Sequence, residues 1–508
     1  MKKRAKQISK IKNNKINILE GTSGMKQKSL GLNAVLNGIK QCCSIIFPLI
    51  TFPYISRVLG NDGYGKYSFS YSVTNYFILL AALGIYTYAI REGAKVRDDQ
   101  KVVDKFCSQV FSINVCSAAI SLLLLSIMVF CLPKFSGYKA YIFIQSTAII
   151  MAVIGTDWVN GIFEDYFYIT VRYIAVQCVC LIAMFVFVRK PEDIIPYCII
   201  SVLATNGGNL INVFYVRKYA KIRFTFDMDL KRHLVPLLIL FVNSIAISIY
   251  VNSDITMLGF FESDAQVGVY SFASKIYNLL KQLINAVIVV SVPRIAYIIK
   301  NKPLEYKTFL NRIFSALNIV LLPIVVGMFF MSDSMILIAG GEQYIAGDAA
   351  LKVLSVATLF AIYASLFTSC VLIVNRQEKL CLKATVVSAI VNVGLNFVLM
   401  PTLGMIGAAV TTVIAELVNC MMQMHFSKAF FDWRTLELKP IVSCICGSAF
   451  IGIICLLCNG FFHSSLMKMA CAVVLSALVY VITLIVMRNP YATAAMDVIK
   501  KGMRKSNG

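Results

Sequence analysis

Gly65-Lys66-Tyr67-Ser68-Phe69 and Gly268-Val269-Tyr270-Ser271-Phe272 each open a long apolar run, and each follows a Leu-Gly pair, Leu59-Gly60 and Leu258-Gly259. Phe111-Ser112 and Phe314-Ser315 recur downstream at the same offset, and Pro191 is matched by Pro401 at nearly the same one. Matches that keep their order and spacing mark an internal repeat. A repeat of six membrane crossings, an even number, leaves both halves in the same orientation. Parallel repeats of that kind are related by an axis along the membrane normal, with the substrate site between them.

The runs around these motifs belong in a bilayer. Of the 508 residues, 58% are hydrophobic and only 14% charged, where a soluble protein carries about a quarter. Mean hydropathy is +0.76. A crossing needs about 20 apolar residues, and about fourteen such runs fit between residues 31 and 487. Backbone groups in lipid must pair internally, so these runs are helices. The expected fold is an all-α integral membrane protein of about fourteen transmembrane helices, in two six-helix lobes plus two C-terminal helices outside the repeat. The expected divisions are a basic tail at 1–29, lobes at 30–218 and 234–427 joined by a linker at 219–233, the extra helices at 428–490 and a tail at 491–508.

A net charge of +23 could suggest nucleic-acid binding, but its placement speaks against it. Lys and Arg gather in alternate loops, such as Arg91/Lys95/Arg97 and Arg217/Lys218/Lys221/Arg223. Such a bias marks cytosolic loops and places both termini in the cytosol. No cleavable signal peptide is evident in the polar first 28 residues, and Met25 is as good a start as Met1. The 16 Cys read as small buried hydrophobes, including the Cys455/Cys458 pair, which has no second pair to complete a metal site. His233, His425 and His463 are scattered. No metal and no cofactor are expected.

The stretch from Asn392 through Asn396, Pro401, Gly404 and Gly407 to Glu416 resembles the eleventh-to-twelfth helix signature of the multidrug/oligosaccharidyl-lipid/polysaccharide exporter superfamily. Phe52-Pro53-Tyr54-Ile55-Ser56-Arg57-Val58-Leu59-Gly60 with Gly63-Tyr64-Gly65 resembles its polysaccharide branch, the Wzx-type flippases. So do Leu83-Gly84-Ile85 with Arg91-Glu92, and Gly341-Glu342-Gln343-Tyr344. The resemblance implies a V-shaped, MATE-like pair of lobes around a central cavity, alternating access, and residence in a bacterial inner membrane. It implies an undecaprenyl-diphosphate-linked oligosaccharide as cargo, with membrane lipids, a polysaccharide polymerase and other assembly proteins as partners.

Ionisable groups within spans are expensive and usually face a cavity. In the first span Asn33, Asn37, Lys40, Gln41, Ser44 and Thr51 follow three- and four-residue steps, so they share a face. Lys275, Asn278, Gln282 and Asn285 do the same in the eighth, with Lys281 displaced toward a neighbouring face. Asn75 in the second span and Asn243 in the seventh add amides. These helices line the cavity if the resemblance holds. Lys40, Lys275, Lys281 and, nearer the outer mouth, Arg57 would attract the diphosphate; the amides and hydroxyls would bind sugar. The competing reading is that the polar groups join helices and that Lys snorkels. Asp157, Asp254 and Glu416 are candidates for ion coupling. Structural pairing of Asp157, and solvation of Asp254 near the outer end, are the alternatives. Gly207-Gly208 reads as close packing.

Three functions compete: a lipid-linked sugar flippase, a multidrug exporter of the same superfamily, and a membrane enzyme. Lys in the first and eighth spans favours an anionic cargo over an organic cation. An enzyme would need a concentrated set of catalytic groups, and the short outer loops hold none.

Overall fold

The computed structural model describes residues 30–431 and 436–494, and all the regular structure among them is helical. The tail expected at 1–29, and most of that at 491–508, lie outside the described residues. Twelve helices among the described residues are long and apolar enough to cross a membrane. In chain order, α1 is Leu30–Ala82, α2 Ile85–Gly93, α3 Gln100–Cys131, α4 Lys139–Gly155, α5 Asp157–Ile162, α6 Tyr166–Phe187 and α7 Ile194–Tyr215. The second half holds α8 Leu230–Phe261, α9 Asp264–Asn301, α10 Tyr306–Phe330, α11 Ser332–Ala339, α12 Asp348–Phe367 and α13 Glu378–Phe426. The C-terminal pair is α14 Leu438–Phe461 and α15 Ser465–Val486.

Two of these segments are too long to be straight. The 53 residues of α1 would span about 80 Å at ~1.5 Å per residue. Gly60 breaks it with φ 70°, a left-handed value that glycine adopts without strain. The chain doubles back there, because the Phe52 and Tyr64 rings lie 5.9 Å apart. Gly404, at φ 54°, breaks the 49-residue α13 in the same way, and Thr411 returns to bond Asn396. The two Leu-Gly pairs of the repeat therefore differ in use. Gly60 is the turn itself, whereas Gly259 lies within α8 and leaves room for Phe69, which a Cβ would approach to 2.0 Å.

Apolar packing explains the overall shape. Around Gly60 one continuous core takes Ile55 and Phe69 from the first half and Leu258, Phe272 and Tyr344 from the second. Toward the other end the core divides. One cluster holds Val103, Phe106 and Trp158, joined by Leu237 of α8; another holds Ile288, Leu310 and Phe367. Halves sharing one core at one end and divided into two clusters at the other, where only the start of α8 crosses to the first half, form a V, as expected. Hydrogen bonds reinforce the fused end. The Ser56 carbonyl accepts from Gln343 Nε2 at 3.2 Å and from the Tyr344 hydroxyl at 3.0 Å, and Asn61 Nδ2 donates to the Gln343 carbonyl at 3.2 Å.

The chain between the halves is tied to α3. Backbone amides of Lys221, Arg223 and Thr225 donate to Asp104, Ser108 and Ser112, three side chains one helical turn apart. The C-terminal pair packs on α10, away from the cleft. The Tyr480 hydroxyl donates to the Ile319 carbonyl at 3.1 Å, and Asn459 Nδ2 to the Phe330 carbonyl at 3.0 Å.

Candidate functional site

The first half encloses a cavity of about 330 Å³ bounded by α1–α7. Lys40 reaches it from α1, Tyr86 from α2, Asp157 and Trp158 from α5, Arg172 and Tyr173 from α6, and Asn206 and Asn209 from α7. Glycines shape its wall. A Cβ on Gly155 would stand 2.3 Å from the Asn209 side chain, so α4 and α7 meet closely there. Thr156 then turns left-handed at φ 43° and separates α4 from α5, which starts at Asp157. A Cβ on Gly208 would lie 3.0 Å from Arg172 Nε, so the missing side chain makes room for the guanidinium.

Arg172 is 8% exposed. Its Nη2 donates to Asp157, and its guanidinium lies 5.2 Å from the centre of the Tyr168 ring. Its other terminal nitrogen, Nη1, is buried without a hydrogen-bond partner among the described residues. Thr156 Oγ1, Trp158 Nε1 and Asn160 Oδ1 are in the same condition, whereas the Tyr168 hydroxyl lies against Arg172. A buried polar group left unpaired costs about 1–3 kcal/mol. Of these residues, Trp158 and Arg172 line the cavity. Lys40 holds its ammonium 5.6 Å from the Tyr173 ring centre and interacts electrostatically with both Asp157 and Arg172. A planar guanidinium with a free N–H beside an ammonium suits a phosphate-bearing anion.

The second half carries a different constellation, around a small space of about 20 Å³. Asp254 on α8 is 7% exposed, not solvated as one sequence reading had it. Helices α9 and the α13 hairpin close over it. Its carboxylate accepts from the Tyr270 hydroxyl at 2.8 Å, Thr412 Oγ1 at 2.5 Å and Asn396 Nδ2 at 2.8 Å. Asn392 stands beside it, accepting from Ser253 at 2.8 Å. One helical turn beyond Thr412, the buried Glu416 accepts from the Tyr277 hydroxyl at 3.0 Å and pairs with Lys281 at 3.5 Å.

The expected cavity residues thus divide among several places. Lys40 lines the larger cavity. Lys281 is held by Glu416 in the smaller one, where Asn278 also sits, donating to the Ser274 carbonyl at 2.9 Å. Lys275 and Asn243 are half-buried and line neither cavity. Asn75 joins the halves through Ser248 at 3.1 Å. Gln41 and Gln282 are exposed, and the side chain of Asn37 lies outside the described residues. Arg57 is exposed, lines neither cavity, and donates to the Ile338 carbonyl at the fused end of the V. Asp157 pairs with Arg172, the residue that sequence reasoning missed. The signal was an arginine inside the fifth apolar run opposite Gly207-Gly208.

All sixteen cysteines are free thiols, Cys455 and Cys458 among the buried ones. Among the described residues no group of three or more His, Cys, Asp or Glu is placed to hold a metal ion.

A family model described as polysaccharide biosynthesis protein matches residues 30–299. An Escherichia coli (strain K12) protein described as an O-antigen transporter is 23% identical over 400 residues, which cover 78% of this chain and 96% of that one. The fold aligns with a structure of the lipid II flippase MurJ in its inward closed conformation at TM-score 0.66 and 18% identity, over 88% of this chain and 100% of that one. It also aligns with an inward-facing multidrug resistance transporter of the MATE family, within the MOP superfamily, at TM-score 0.56 and 14% identity, over 80% and 95% of the two chains. At these identities the structural likeness is one of fold.

Proposed function

Because the chain belongs to the polysaccharide biosynthesis protein family, we propose that it is a flippase that carries an oligosaccharide linked to undecaprenyl diphosphate from the inner to the outer leaflet. Arg172 with its free N–H beside Lys40, in a cavity at the depth of the apolar spans, is the observation that carries this reading. The two cations attract the diphosphate. Asn206 and Asn209 on the cavity wall offer amides to sugar hydroxyls. The apolar lipid tail stays outside in the bilayer. Helices α1 and α13, each doubled at a glycine, bring the twelve long segments to about fourteen crossings. Both termini then face the cytosol of a bacterial cell, and the lobes are 30–218 and 234–427.

Movement follows from the V. With the Gly60 end fused, the cavity is reached from the divided end, and transport requires the closure to pass from one end to the other. Asp254, a buried carboxylate held by two hydroxyl donors and one amide donor, is the group best placed to take up a proton or Na⁺ in step with that exchange. A polymerase and other assembly proteins would receive the flipped unit. Multidrug efflux is the second reading. The acidic second-half cluster would suit a cationic cargo, but it encloses only about 20 Å³, too little for a drug.

The test is a deletion strain in which lipid-linked oligosaccharide and surface polysaccharide are both quantified. The flippase reading requires the diphosphate-linked unit to accumulate on the cytosolic leaflet while surface polymer disappears. Normal levels of both refute it. Complementation by Lys40→Ala or Arg172→Ala should restore expression but less than a tenth of the polymer.

A further inference from the structure

We propose that Asp157 is a built-in substitute for the cargo's phosphate: it occupies Arg172 while the cavity is empty, and is displaced when the diphosphate arrives. The inference rests on the diphosphate reading of the cavity and adds how the site lets its ligand go.

Asp157 differs from an ordinary structural partner of a buried arginine. Its side chain is 26% exposed and lines the cavity, whereas the Arg172 side chain is 7% exposed. The pair thus presents its anion toward the open space and keeps its cation against the wall. Asp157 engages only one terminal nitrogen of the guanidinium, leaving the other buried and unbonded. Parallel bidentate contacts are the stronger arrangement for a guanidinium and a carboxylate, and this pair makes only one of the two. The remaining donor to Asp157, Asn160 Nδ2, stands at 3.4 Å, so the carboxylate is lightly held apart from Arg172.

Charge makes the exchange necessary. With Asp157 in place, Lys40, Arg172 and Asp157 leave a single net positive charge in the cavity. A diphosphate entering beside a fixed carboxylate would meet a like charge at close range in a site of low dielectric, and such juxtapositions are unfavourable. If the phosphate oxygens take over Arg172, including the unbonded Nη1, the carboxylate can turn toward Asn160 or Lys40. On release the same carboxylate recaptures the guanidinium. The buried cation therefore never stands unpaired, the condition that costs most. A transporter benefits from this: tight capture without a competing anion would slow release on the far side.

The experiment measures equilibrium binding and dissociation of farnesyl diphosphate, a short soluble diphosphate lipid, on the purified full chain in detergent, with farnesol as the uncharged control. Wild type should prefer the diphosphate, and Arg172→Ala and Lys40→Ala should bind it at least tenfold more weakly. Asp157→Asn should bind it at least fivefold more tightly and release it more slowly, while transport falls. Asp157→Glu, which restores the charge, should return affinity toward wild type. If Asp157→Asn does not fold, Asp157→Ser serves for the same comparison. Weaker or unchanged binding in folded Asp157→Asn or Asp157→Ser overturns the inference while leaving the diphosphate reading intact. A wild type that binds farnesyl diphosphate no better than farnesol, with no effect of Arg172→Ala or Lys40→Ala, overturns both.

Discussion

Gly65 and Gly268 meet across the two halves of the protein: a Cβ on either would stand 3.0 Å from the amide nitrogen of the other. The same Cβ on Gly65 would lie 1.8 Å from the Asp264 carbonyl oxygen, and that on Gly268 would lie 1.8 Å from the Asn61 carbonyl oxygen. Asn61 and Asp264 stand at the same offset in the repeat as the two glycines. The contact is therefore reciprocal, each half presenting to the other the feature it receives, as expected beside a twofold pseudo-axis. Backbone has no rotamer by which to retreat. Gly268→Ala should consequently hold the fused end apart and bias the protein toward opening there. Accessibility of a single cysteine introduced at Ser68 to a membrane-impermeant thiol reagent added from outside should rise severalfold in a background lacking the native cysteines. No change in labelling would mean that the seal does not depend on this approach.

The same end offers a lock. Asn61 and Gln343 are joined by a side chain-to-backbone hydrogen bond of 3.2 Å across the halves. A disulfide from Asn61→Cys with Gln343→Cys should arrest transport under oxidation, and a reductant should restore it. Transport that continues in fully cross-linked protein would show that this end need not separate. A pair that never cross-links would place the two residues further apart in the membrane than here.

Lys281 and Glu416 carry a different expectation. Glu416 is 5% exposed in its side chain and Lys281 is 26%, so the pair is more shielded on the acidic side. Lys281→Ala would leave Glu416 with the Tyr277 hydroxyl and the nearby Tyr250. Breaking a fully buried pair costs roughly 3–5 kcal/mol; the partial exposure of Lys281 and the remaining tyrosines should reduce this to about 1–2 kcal/mol. Thermal stability in detergent should fall with Lys281→Ala and largely recover when Glu416→Gln is added. A double variant as unstable as the single one would show that Lys281 acts through something other than this carboxylate.

How much of this was legible beforehand differs by feature. The spans follow from run length, and the repeat from Gly65 and Gly268, because hydrophobic thickness and close backbone contact each leave a local mark on the sequence. The polar stripe of α1 drew attention to Lys40, which lines the larger cavity. The destinations of Arg57 and Lys281 were not legible. Helical periodicity tells which residues share a face but not which neighbour that face meets, and it does not tell that Glu416, far along the chain, lies within reach of Lys281. Arg172 was overlooked for a related reason: it stands without a polar stripe, and its partners come from α5 and α7. Solvation stood as an alternative for Asp254 because its place near a helix end was visible, whereas the hairpin at Gly404 that folds Asn396 and Thr412 over it was not.

The two adjacent glycines of α7 should separate by function. A Cβ on Gly207 would meet Val176 at 3.5 Å, an ordinary contact, but one on Gly208 would press on Arg172 Nε at 3.0 Å. Gly207→Ala should therefore leave surface polysaccharide near wild type. Gly208→Ala should shift the guanidinium and weaken farnesyl diphosphate binding severalfold, and Gly208→Val should do so more strongly. Equal effects from Gly207→Ala and Gly208→Ala would indicate general helix packing in place of a specific cradle for Arg172.

Asp254→Asn removes a charge with almost no change of shape. The Tyr270 and Thr412 hydroxyls can still donate to the amide oxygen, so the fold should persist with expression near wild type. Asn396 Nδ2 loses part of its acceptor, and its Oδ1 already accepts from Thr411, so the local network must rearrange by an amide flip or a rotated hydroxyl. If Asp254 takes up the coupling ion, reconstituted Asp254→Asn should show at least tenfold lower flux and lose its response to an imposed H⁺ or Na⁺ gradient. The residual flux would be the ungated exchange down the cargo's own gradient. A variant that keeps both its flux and its gradient response would reduce Asp254 to a structural tie between α8 and the α13 hairpin and would leave Glu416 as the carboxylate to test.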